Sequence, residues 1–190
     1  MQKQAFKDVE IIQKRRENLK AQYSTLETGI YIEGQIQAFE RWKVLDSLVV
    51  VIPEGFKVMS EAFAKIKYPL VFKTSCILTH HNLETNLTFN EFPNAPGTTL
   101  MQGIQLVKET LENEQGTFDF SEVKPFKNVR GYYFECRQQV MDGALYHMLA
   151  HLKQDDRIYQ LTFNCLFSNH MDWKSAVVQM WESVEYRKET

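Results

Sequence analysis

The sequence predicts an α+β domain in which helices sandwich an antiparallel β-sheet, preceded by an amphipathic helical extension. Three observations carry that expectation. The C-terminal half holds three long strand-like runs, "RGYYFECRQQV", "ALYHMLAHLK" and "RIYQLTFNCLF", parted by the turn signals Met141-Asp142-Gly143 and Gln154-Asp155-Asp156. Helical stripes flank them, at Leu100, Ile104, Val107 and Leu111 and again at Trp173, Val177, Met180 and Val184. The first 28 residues contain neither Pro nor Gly and repeat apolar side chains at three- and four-residue steps.

Taken in order, residues 1–28 read as the helical extension and 29–190 as a single α+β domain. The stripe of the extension is Ala5, Val9, Ile12, Leu19, Tyr23 and Leu26, interrupted by Arg16. A helix packing on its own domain is the simpler expectation, and a homodimer joined through it is compatible with the pattern. The triplet Lys14-Arg15-Arg16 fits an acidic partner or, more simply, a solvated face. From Gly29 the period becomes two: "IYIEGQIQAF" places Ile30, Ile32, Ile36 and Ala38 on one face. "LVVVIPEGF" is a β-branched strand ended by Pro53, and "SEAFAKIKYP" a short helix capped by Ser60 and stopped before Pro69. Strands follow at "SCILTHH" and "TNLTFNEF", then the turn-rich "PNAPGTT", then a helix capped by Thr98 or Thr99. "TFDFSEV" opens the strand-dense remainder. Residues 145–152 are apolar on both faces, as a central strand covered on each side would be.

A formal net charge of −2 gives no field to draw nucleic acid or an anionic membrane. The longest apolar run, "SLVVVIP", is far short of the ~20 residues that span a bilayer, and no secretory h-region opens the chain. Three cysteines without CxxC spacing, Cys76, Cys136 and Cys165, read as reduced buried thiols. The expectation is a cytoplasmic protein without nucleic-acid binding or membrane insertion.

The chemistry-bearing residues give no catalytic or metal expectation. On a strand, His147 and His151 share a face but start roughly 13 Å apart, too far for metal–nitrogen bonds of about 2 Å. The same distance separates Cys76 from His80, and His80 and His81 read as a polar strand end. No GxSxG elbow or phosphate-cradling glycine loop is present. Ser168-Asn169-His170 reads as the turn before the last helix, with Asn169 or Asp172 as its cap, and Cys165 as apolar packing between Phe163 and Phe167. No cofactor is implied. Tyr146, Met148 and Tyr132 are the candidate partner-binding residues, as aromatic and adaptable side chains on sheet faces. A small-molecule site or enzyme with a pocket near His147 and His151 is the alternative.

The stretches "IPEGFKVMSEAFAKIKYP", "CILTHHNLETNLTFNEF" and "LTFNCLFSNHMDWKSAVVQMWESVEY" resemble a bacterial PsbP-like family that includes the DcrB-type domains. The resemblance spans roughly residues 45 to 186, and its markers here are Pro53, Tyr68-Pro69, Trp173 and Ser183. It implies an antiparallel sheet sandwiched by helices and carries no catalytic motif. Family members are mostly non-enzymatic: photosystem accessory subunits, envelope proteins, and Eag-type chaperones that hold the transmembrane segments of secretion effectors in an apolar groove. The helical extension departs from most members. The resemblance thus implies a non-catalytic cytosolic binding or chaperone-like domain for a secreted or membrane-bound client.

Overall fold

In the computed structural model, residues 2–68, 76–94, 97–113 and 117–187 are described, with side chains from residue 9 onward. Pro69, Ser75, Ala95, Pro96 and the side chain of Ala5, which entered the expectations above, lie outside the described residues. Among the described residues no helix is long and apolar enough to cross a membrane.

Helix α1 (Gln2–Gln22) ends sooner than its stripe suggests. Thr28 N–H donates to the Thr25 hydroxyl, closing a turn that lets β1 (Ser24–Thr25) pair with β2 (Gly29–Ile32). Tyr23 and Leu26 therefore lie beyond the helix. The "IYIEGQIQAF" stretch is not one strand but a hairpin of β2 and β3 (Gln35–Gln37). Glu33 and Gly34 turn it, both at positive φ, as a two-residue hairpin loop demands. The turn reverses the face count: Ile36 pairs with Tyr31 and is exposed, while Ile30 and Ile32 point into the core.

Strands β4 (Phe39–Leu45), β5 (Leu48–Pro53) and β14 (Glu185–Tyr186) form a second small sheet in the order β14-β5-β4. The large sheet also includes β6 (Lys57–Val58), β7 (Cys76–Thr79), β8 (Asn86–Pro93), β9 (Thr117–Phe120), β10 (Lys124–Pro125), β11 (Gly131–Val140), β12 (Gly143–Gln154) and β13 (Arg157–Leu166). Its order is β10-β11-β12-β13-β8-β7-β6, with β9 on β11, and every pairing is antiparallel. The two expected turns join β11 to β12 and β12 to β13, where Val140 pairs with Gly143 and Gln154 with Arg157.

Helix α2 (Glu61–Lys67) is capped by the Ser60 hydroxyl, which accepts from Phe63 N–H. Helix α3 (Leu100–Asn113) begins at Thr99 with a reciprocal capping box: Gln102 N–H donates to the Thr99 hydroxyl, and Thr99 N–H to Gln102 Oε1. Helix α4 (His170–Glu182) follows a single 3₁₀ turn over Phe167–Asn169. Its expected caps are engaged elsewhere. Asn169 makes no capping bond and instead donates to Glu33, while Asp172 takes Lys20 and the Glu33 N–H.

Alternation along β12 divides the core. Tyr146, Met148, Ala150 and Leu152 join Phe163, Leu161, Trp173, Val177, Met180 and Trp181 under α4 and β5. Leu149 faces the other way, with Phe134, Cys136 and Ile104 of α3. The central strand is covered on both faces, and the fold is the expected antiparallel sheet between helices.

Candidate functional site

His147 and His151 stand on the α3 face of β12, where they pair in register with Cys136 and Tyr132. Burial lowers both imidazole pKa values to about 4, so both rings are neutral at pH 7. His147 Nε2 lies 3.0 Å from Gln138 Oε1. Among the described residues no partner reaches the buried Nδ1 of His151, which lies beneath Gly103 of α3, where an added Cβ would sit 3.7 Å from it. Among the described residues no group of three His, Cys, Asp or Glu side chains is arranged to hold a metal.

The face around these histidines continues as neutral polar side chains, most of them buried. Register places His147, Asn164, Asn86 and Thr79 side by side, then Leu149, Thr162 and Thr88, then His151, Gln160 and Asn90. Tyr68, just past α2, donates its hydroxyl to Asn164 Oδ1 at 3.0 Å. These side chains offer hydrogen bonds without charge. The sequence signal was the alternation in "NLTFN" and "LTFN", polar on one face and apolar on the other. It was legible as strand but not as a shared face, because register is set by partners distant in sequence.

On the α4 face, Glu135 is buried and accepts from the Tyr146 hydroxyl at 2.9 Å and from Lys174 at 2.7 Å, with Lys124 3.5 Å away. Desolvation raises its pKa, but the Lys174 and Tyr146 bonds outweigh that and leave it below the ordinary carboxylate value. Burial and the neighbouring carboxylate push the Tyr146 phenol strongly up. The group is a fixed ion cluster with no proton free to move near neutrality. The cysteines are inert for the same reason: burial pushes Cys136 up to about 12 and Cys165 higher still. In sequence, His80 and His81 read as a polar strand end. The chain leaves β7 at Thr79, and their rings come together with centroids 3.9 Å apart.

Of the candidate partner-binding residues, Tyr146 (2% exposed) and Met148 (0%) are interior, packed beneath α4. Tyr132 is partly exposed and lines a depression with Leu100, Met101, Phe126, Val129 and Arg130. The structure thus separates the three: two fill one core and the third lies on the opposite face.

The largest departure from expectation is α1. Its last turn ties to the domain through Lys20 and Asp172, 2.8 Å apart. Every residue from Val9 to Asn18 is exposed, including Val9 (51%), Ile11 (65%) and Ile12 (53%). Over residues 9–18, among the described side chains, the helix does not bury a face against its own domain.

No family model matches the chain, and no curated protein matches it in sequence. Solved structures do match in shape. Cyanobacterial PsbP (CyanoP) from Synechocystis sp. PCC 6803 superposes with a TM-score of 0.59 at 13% identity, over 82% of this chain and 96% of that one. The Ran-binding protein Mog1p from Saccharomyces cerevisiae gives 0.54 at 8% identity, over 78% of this chain and 95% of its own. The fold is PsbP-like.

Proposed function

We propose that the protein is a non-catalytic binding module of the cytoplasm, chaperone-like in the manner of Eag-type domains. Its client is a secreted or membrane-bound protein. One observation carries this reading: α1 presents Val9, Ile11 and Ile12 to solvent, within a run from Val9 to Asn18 in which every residue is exposed. A helix of this length gains little from propensity alone, and β-branched Val and Ile lower it further. Most helical stability in proteins comes from burying an apolar face, so a partner completes this one. Mog1p, a Ran-binding protein on the same fold, supports protein binding as the class of activity. The neutral histidines, high-pKa thiols and locked Glu135 cluster supply no group poised for acid–base or nucleophilic work at neutral pH.

The test is capture from native-host lysate with the full chain beside its V9S/I12S variant, at moderate salt without detergent. A stoichiometric protein retained by the natural chain and lost from the variant is the expected result. Equal retention by both, or a bound small molecule with no protein, would overturn the reading.

A further inference from the structure

We propose that α1 docks in an apolar groove rimmed by carboxylates on another protein, with Arg15 and Arg16 selecting that partner. This rests on the protein-binding reading above and adds the chemistry of what is bound. At 100° per residue, Val9, Ile12 and Arg16 fall within an arc of about 60°, with Arg15 at its border beside Ile12. Glu10 and Glu17, seven residues apart, lie together roughly 100° away from Arg16. Residues 9–18 are exposed all round, and one face of the helix is apolar and basic at once. Both arginines are exposed, and among the described residues no hydrogen bond or ion pair engages either.

Helix α1 carries six basic and three acidic residues in a chain whose formal net charge is −2. The excess cation is thus concentrated on the element that projects. Burying Val9 and Ile12 in a partner carries Arg16 into the contact, and the cost of taking a guanidinium out of water is best offset by a carboxylate that it can bond bidentately. A second copy of this chain offers the same stripe with its own Arg16 at the centre, so like charges would meet. A bilayer needs a broad apolar face, and here Arg16 interrupts a narrow one while Ile11 points elsewhere.

The test places a photo-cross-linking residue at Gln13, exposed beside the stripe, in the full chain expressed in its native host. The expected adduct joins one foreign protein through a peptide containing Asp or Glu. Its yield falls about tenfold or more in R15E/R16E, persists in R15K/R16K, and falls with added salt. An adduct to a second copy overturns the proposal, as does no adduct at all. So does retention of the purified chain on vesicles of phosphatidylcholine with phosphatidylglycerol. Two variants separate the claims. A partner kept by V9S/I12S defeats the reading that the α1 stripe carries the binding, and with it this proposal. A partner lost from V9S/I12S but kept by R15E/R16E defeats only the acidic groove.

Discussion

His147 and His151 show how strand geometry decides what two histidines do. Four residues apart on β12, they share the α3 face yet are buried as separate neutral rings. The folded values near 4 lie below the ordinary 6.5, so between those limits the unfolded chain binds protons that the native chain refuses. Their contribution is fully present above pH 6.5 and is lost as pH falls toward 4. From pH 7 to 5 the unfolding free energy should drop by about 2 kcal/mol for each histidine. Denaturant titration at the two values checks this, with an H147Q/H151Q variant showing a flatter dependence. Glu135 has a depressed pKa, so the stability it adds disappears only below the usual carboxylate range, outside that window. A Tyr146→Phe change removes a hydrogen bond to a buried, charged carboxylate and should cost about 1.5–3 kcal/mol by the same titration.

At the scale of elements, Gly131 shows how tightly β11 and β12 are joined. A Cβ there would stand 2.3 Å from Leu152 Cδ2 and 2.7 Å from the His151 carbonyl oxygen. Gly131→Ala should therefore cost about 2 kcal/mol or more, read as a lowered Tm. Strands β11 to β13 were legible in sequence because each is long, alternating and bounded by a two-residue turn. The β2–β3 hairpin was not. Its Glu33-Gly34 turn hides inside an unbroken alternation, and only positive φ at both residues reveals it. The caps of α4 were misplaced for a different reason. Asp172 and Asn169 are drawn to the tip of that hairpin, where Trp173 Nε1 also donates to Glu33 at 2.7 Å. Tertiary contacts therefore took residues that local sequence assigns to capping.

For the whole molecule, the same limit applies to function. The apolar stripe of α1 and its arginines were legible residue by residue, but whether the stripe faces its own domain depends on where the chain goes after Gln22. Ser24 and Thr25 join a hairpin, Lys20 meets α4, and the helix is carried clear of both cores. Tyr146 and Met148 went the other way, because a strand apolar on both faces is covered twice. The central claim is that α1 is a docking element without a partner in the isolated chain. Amide hydrogen exchange tests it most directly. In the free protein, residues 9–18 should exchange with protection near zero while β12 holds protons at close to the global stability. In the captured complex they should slow by about tenfold or more. Strong protection of residues 9–18 in the isolated chain, independent of its concentration, would contradict the account and return α1 to the core of its own domain.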